Sequence, residues 1–245
     1  PVDANDAQSL YRRADAAMHE AKRAGRNNFR FYSKQIEENL TQIFLSANEL
    51  REAISNNKIE VFYQAKIDNT ERRRISGVEA LVRWRGENGE LIPPNAFITL
   101  AEETRLIIPL GEKVLRQACT EVKNWLSIQE GLTLAVNISP VQFNPGFINT
   151  LSEILAETAF PAANLEIEVT ESVLINDTHA IETFGMLKAL GVKLSLDDFG
   201  TGYSSLSYVK NFPFDILKID QSFVLGMLNN EKDSSIVKTI INFAK

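Results

Sequence analysis

Apolar and polar positions along the chain follow two periods, near two in short runs and near 3.6 in longer ones. The short runs predict strands over residues 59–65, 75–84, 132–138, 165–169, 193–196 and 216–219, and the longer spacing predicts helices near 94–103, 112–128, 145–158, 178–190 and 233–243. Only residues 66–74 join the first two strands, too few for a parallel crossover, so these two are expected to pair antiparallel. The remainder are spaced as βα units, which predicts an α/β fold with a parallel sheet wound by helices, open or closed into a barrel. Six strands do not close an eight-stranded barrel, and the last helical pattern reaches Lys245 without a cap or stop signal. The expectation is a fold incomplete at the C-terminus as given.

The first 56 residues read differently. Residues 7–23 are Ala-rich and charged with Gly25 as a C-cap, and Asn28, Phe29, Arg30, Phe31 and Tyr32 alternate polar with aromatic, so a helix and then a strand are expected. One helix and one strand bury no core of their own, which predicts that residues 1–32 are the tail of a domain whose body lies upstream. Over 33–57 the positions Ile36, Leu40, Ile43, Ala47, Leu50 and Ile54 recur at steps of four and three, a helix with a narrow apolar seam. The seam is shorter than the three to four heptads of a coiled coil, which favours a packed face over a dimerising or signal-transmitting linker.

Composition adds limits. With 44% hydrophobic and 24% charged residues the chain is an ordinary globular sequence, and a net charge of −6 argues against a surface built to hold duplex nucleic acid. The single Cys119 sits in a helical run and reads as a core thiol, a usage that suits a reducing compartment. No apolar run has the length to cross a bilayer and the N-terminal residues have no signal-peptide pattern, so a soluble, cytoplasmic chain is expected, with membrane anchoring of a full-length protein left open.

Polar residues stand where apolar strands give way to loops: Glu79, Asn137, Glu168, the pair Asp197 and Asp198, and Lys218 with Asp220. In parallel α/β folds that rim is where sites are built. Carboxylates crowded there repel one another unless cations hold them, and oxygen donors with no Cys or His nearby point to Mg²⁺ or Mn²⁺. Singly, each residue has an ordinary reading, a strand-end Asp as a helix cap or Asn137 as a turn residue; the convergence is the signal. The loop DFGTGYSSL after Asp197 brings two glycines that suit either a phosphate or a tight turn. Arg72, Arg73 and Arg74 read as a solvated turn, while Arg83 is open between a substrate phosphate and an acidic neighbour.

These residues together resemble the EAL-domain family of cyclic di-GMP phosphodiesterases. Glu79-Ala80-Leu81 stands inside GVEALVRW, followed in order by PPNAFITLAEET, NIS from Asn137, EVTES from Glu168, DDFGTGYSSL from Asp197 and LKID from Leu217, covering residues 48–245. The stretch ADAAMHEAKRAGRNNFRFY is similar to the end of a GGDEF domain, so the expected layout is a GGDEF-like tail over 1–32, a linker helix over 33–47 and an EAL domain over 48–245. The resemblance implies a (β/α)8 TIM-like barrel with an antiparallel first strand, here short of two strands. It implies two-metal hydrolysis of cyclic di-GMP to linear pGpG in bacterial signalling. By motif the metal ligands would be Glu79, Asn137, Glu168, Asp197 and Asp198. Lys218 would orient the attacking water or steady the transition state, and Glu171 would anchor the loop after Asp198. Gln64, Leu81 and Arg83 would contact substrate, Gln64 at a guanine and Arg83 at a phosphate. Partners implied are cyclic di-GMP, an upstream GGDEF or sensory domain, and a second copy meeting near Leu206 and Tyr208, two residues that serve equally as core. Two departures stand out. Ala65 replaces the family's usual Pro, and the family's further catalytic Glu and its QGY-like segment have no counterpart up to Lys245, which puts the activity of this length of chain in question. A receptor that binds without cleaving is the alternative.

Overall fold

The computed structural model describes residues 6–23, 28–69, 73–144, 146–176, 180–200 and 209–244, and the chain forms two compact units, residues 1–56 and 57–245.

In the first unit, helices α1 (Ala7–Arg23) and α2 (Lys34–Ser55) are the regular elements among the described residues. Ser33 caps α2, its hydroxyl accepting from the Ile36 N–H, and the helix runs to Ser55, close to the expected end at residue 57. Ala47, Leu50 and Ala53 are buried along it, and Ile36, Ile43 and Ile54 are half-buried, as the four-and-three spacing predicts. The expected strand at Asn28–Tyr32 is absent: these residues are irregular, with Phe29 and Phe31 largely exposed and in edge contact at 5.4 Å. Alternation alone does not make a strand, because its backbone groups need a partner ladder, and none stands beside it among the described residues. Gly25 lies outside the described residues.

The second unit is a sheet covered by helices. Its strands are β1 (Ile59–Ile67), β2 (Ile75–Arg85), β3 (Leu91–Ile92), β4 (Thr133–Asn137), β5 (Leu165–Thr170), β6 (Lys193–Phe199) and β7 (Ile216–Ile219), in the order β1-β2-β4-β5-β6-β7 with β3 paired to β2. β1 and β2 pair antiparallel, and every later neighbour along the main path pairs parallel, as expected. The helices are α3 (Ile98–Glu103), α4 (Ile107–Leu126), α5 (Phe147–Thr158), α6 (Ser172–Asn176), α7 (Ala180–Leu190), α8 (Gln221–Gly226) and α9 (Glu231–Phe243). α4 starts five residues before the expected boundary of 112 and takes in Pro109 and Gly111. Pro109 falls in the first turn, where its missing N–H breaks no helical bond. The two-residue β3 and the short α6 and α8 escape any periodicity reading.

Burial explains the layering. Leu134, Leu165, Ile167, Leu194 and Leu196 are wholly buried on the sheet, and the helices bring Leu110, Leu115, Val122, Leu151, Phe184 and Leu187 to the same core. Each such side chain contributes roughly 1.5–3 kcal/mol by leaving water. Phe184 is the hub of an aromatic cluster, with Phe143, Phe212 and Phe214 at 5.4–5.8 Å between ring centres.

Cys119 is wholly buried in α4, and burial pushes its thiol up to about 12. Above about pH 8.5 the thiol therefore ionises only in the unfolded chain, so its share of the stability falls as pH rises from there toward 12. At pH 8 the native protein is expected to leave Ellman's reagent uncoloured and to release one equivalent on unfolding in urea. Rapid reaction under native conditions would place the thiol outside the core.

Candidate active site

Register decides which side chains meet. Glu79 pairs with Gln64 on β1 and with Ala135 on β4; Asn137 pairs with Glu168, Glu168 with Ser195, and Thr170 with Asp197. Paired residues point to the same side of a sheet and alternate residues return to it. Gln64, Glu79, Asn137, Glu168 and Asp197 therefore share one face, and Lys218, two residues beyond the partner of Ser195, joins them.

On that face Glu79, Glu168 and Asp197 bring one oxygen each within 4.8 Å of one another. The Lys218 ammonium sits among them, 2.6 Å from Glu168 Oε2, 2.9 Å from Asp197 Oδ2 and 3.4 Å from Glu79 Oε2. Asn137 donates from Nδ2 to Glu79 Oε1 at 2.8 Å, which leaves its carbonyl oxygen as a further ligand atom. Burial pushes the Glu168 carboxyl up to about 7, against the hydrogen bond and charge of Lys218 that pull it down. Burial also works against the Lys218 ammonium, but the Glu168 and Asp197 carboxylates outweigh it and hold the charge above the usual lysine range.

The other expected residues lie around this cluster. Asp198 has a left-handed backbone, φ 53°, and burial, then Asp197 and Asp220, hold its carboxyl above the usual range. Hydrogen bonds from Ser222, and a further one with Asp198, keep the Asp220 carboxyl below the usual range. Asp198 thus faces Asp220, and the three-carboxylate cluster forms without it. Glu171 is buried, and its Oε1 accepts the Gly200 N–H at 2.9 Å. Gln64 is exposed and Leu81 lines a cavity of about 400 Å³ with Asn137, Ser139 and Glu168. Arg83 donates to the Val82 carbonyl at 2.8 Å and lies over the Phe62 ring at 5.8 Å, rather than pairing with the acidic neighbour. The nearby acid, Glu60, is held instead by the two-pronged guanidinium of Arg85. Leu206, Tyr208, Arg72 and His179 lie outside the described residues.

Two members of the site carry no rim signature in the sequence. Lys66 of β1 places its ammonium 2.8 Å from both oxygens of the buried Glu166 and 3.4 Å from Glu168 Oε1. The available signal for Glu166 was its spacing, two residues before Glu168 on a strand buried on both faces.

The donor set fits a hard divalent cation. Four carboxylates, Glu79, Glu166, Glu168 and Asp197, stand against two ammonium groups, Lys66 and Lys218, an excess of two negative charges. Every ligand atom offered is oxygen, and the cysteine is distant in the helical layer.

Comparison with known proteins agrees with this geometry. Residues 47–245 match the family model described as EAL domain. The chain is 38% identical over its full length to the "Cyclic di-GMP phosphodiesterase PdeR" of Escherichia coli (strain K12), covering 37% of that protein, and 38% identical to an "Uncharacterized signaling protein" of Caulobacter vibrioides, covering 30%. It therefore spans about a third of the length of these relatives. Among solved structures, "PaMucR Phosphodiesterase, c-di-GMP complex" superposes with a TM-score of 0.76 at 36% identity, covering 82% of this chain and 81% of that one. That structure and the present one share the α/β sheet that EAL proteins build as a TIM-like barrel. With most of its length matched, the chain belongs to the EAL-domain family.

Proposed function

We propose that this chain is a phosphodiesterase domain that hydrolyses cyclic di-GMP to linear pGpG, with Mg²⁺ or Mn²⁺ held by Glu79, Asn137, Glu168 and Asp197. The observation that carries the reading is the convergence of Glu79, Glu168 and Asp197 on Lys218, four residues from four strands at one rim. Bound there, a divalent cation supplies Lewis acidity to a phosphoryl oxygen and acidifies a water. The chain's own groups do the rest. Lys218 offers a fixed positive charge where negative charge develops on phosphorus, Asp198 stands beside the rim against Asp220, Leu81 lines the cavity next to the rim, and Gln64 and Arg83 would meet the nucleotide there. The names of PdeR and of the cyclic di-GMP complex above support the substrate. Residues 1–32 serve, in this reading, as the end of a GGDEF-like domain. No helix among the described residues is long and apolar enough to cross a membrane. A receptor that binds and does not cleave would have no use for Glu79, Glu168 and Asp197 gathered around a lysine.

The test is release of pGpG from cyclic di-GMP, followed by chromatography, with Mg²⁺, with Mn²⁺ and with chelator. Turnover is expected with either ion and none with chelator, and Glu79→Ala is expected to lower kcat by at least about 10²-fold. Unchanged turnover in Glu79→Ala would remove that ligand, and nucleotide binding without metal-dependent cleavage in the unaltered protein would make it a receptor.

A further inference from the structure

Glu168 is gripped from two sides. Its Oε2 takes the Lys218 ammonium at 2.6 Å, and its Oε1 faces the Lys66 ammonium at 3.4 Å. Lys66 arrives from β1, the antiparallel strand, and Lys218 from β7, so the two cations approach β5 from opposite directions along the sheet. Below Glu168 on the same face lies Glu166, with side chains 0% and 1% exposed respectively, and Lys66 sits evenly between the two Glu166 oxygens at 2.8 Å each. The lysine is thereby anchored at a fixed height, with one acid as its seat and the other within reach.

A single hydrogen bond leaves a glutamate carboxylate free to turn about its last bond, because that torsion is broad. Lys218 alone would pin one oxygen and leave the plane open. A second ammonium at the other oxygen fixes the plane, and in metal sites such outer partners govern both ligand orientation and affinity. Lys66 also reduces the repulsion between two buried acids on one strand, which burial would otherwise drive toward the neutral form.

We infer that Lys66, seated on Glu166, is a positioning residue that fixes the carboxylate plane of Glu168 for cation binding and turnover. The inference rests on the phosphodiesterase reading for its activity arm and on the acidic rim alone for its binding arm. A purely structural Lys66 would neutralise Glu166 and nothing more, and the two roles separate in a charge-deletion cycle.

Four proteins decide it: the unaltered chain, Lys66→Met, Glu166→Gln and the double variant, each titrated with Mn²⁺ by calorimetry, unfolded in urea, and assayed for kcat and KM on cyclic di-GMP. Lys66→Met is expected to weaken Mn²⁺ about 10–100-fold and to lower kcat by a similar factor with KM unchanged. The double variant buries no unpaired charge, so its urea midpoint is expected to return toward that of the unaltered protein while its Mn²⁺ affinity stays low. Recovery of normal Mn²⁺ affinity in the double variant would overturn the inference, even if Lys66→Met itself fails to fold. An unaltered protein that binds no Mn²⁺ would overturn the metal reading and this role with it. Normal Mn²⁺ binding without hydrolysis of cyclic di-GMP would remove the substrate and leave the positioning role to the calorimetry.

Discussion

Lys218→Met is expected to abolish most turnover, lowering kcat by about 10²–10³-fold, and to make folding depend on divalent cation. The activity loss follows from removing a preorganised positive charge in a partly buried site. The stability loss follows from what remains: Glu168, fully buried, beside Glu79 and Asp197, with the ammonium that touched all three gone. Breaking such a buried pair by deleting one partner costs about 3–5 kcal/mol. The cost is expected in chelator at pH 8. It shrinks as pH falls, because burial pushes the Glu168 carboxyl up to about 7 even while Lys218 pulls it down, so without the lysine it takes a proton at still higher pH and then needs no partner. Saturating Mn²⁺ should return about 3 kcal/mol at a hundredfold excess over its dissociation constant. Urea unfolding of the variant in chelator and in Mn²⁺ measures both. An equal loss in the two conditions would mean that lysine and cation do not compensate the same charges.

Sequence reading located this lysine and its acids because parallel strands announce their rim: an apolar run ends, and the next polar residue stands at the mouth. Asn137, Glu168, Asp197 and Lys218 obey that pattern, at or within two residues of their strand ends, whereas Glu79 lies mid-strand in β2, and the sheet brings all five within hydrogen-bond range across spans as long as 139 residues. The same rule hid Lys66. β1 runs against its neighbours, so its last residues lie opposite the first residues of β2, Lys66 facing Gly77, away from the rim the pattern marks. Glu166 was hidden by its position inside a strand, where an acid normally means a solvated face; here both faces of β5 are buried. The failed strand at Asn28–Tyr32 has the converse cause. Its alternation was genuine, but a strand is a pairing, and local pattern carries no information about a partner. Arg83 and Arg85 alternate on one face of β2, and sequence alone did not say that Arg85 is the one that reaches Glu60.

The turn after β6 is held at two points, and releasing either is expected to have nearly the effect of releasing both. Glu171 accepts the Gly200 N–H at 2.9 Å, and it comes from the end of β5, three residues past Glu168. One strand end thus supplies a rim acid and the pin for the neighbouring turn. Gly200 has φ 105°, a conformation that disfavours side chains, and a Cβ there would meet the Phe223 ring at 2.9 Å. Two residues before Gly200, Asp198 sits at φ 53°, a left-handed conformation that costs a non-glycine residue about 1–3 kcal/mol and persists only while its surroundings hold it. Glu171→Ala frees the N–H, and Gly200→Ala pushes the backbone away from the carboxylate, so each lets Asp198 relax and the Asp197 side chain lose its support from the Asp198 N–H, 2.9 Å from Oδ1. Each variant is expected to lose about 10–100-fold in kcat, in the range for residues that hold ligands in place. Two mutations acting through one turn do not add, so the double variant should fall no further than the worse single one. Steady-state rates of the three proteins, with urea midpoints to exclude global unfolding, make the comparison. Losses that multiply in the double variant would show two independent supports, and would separate the Glu171 carboxylate from the geometry of Asp198.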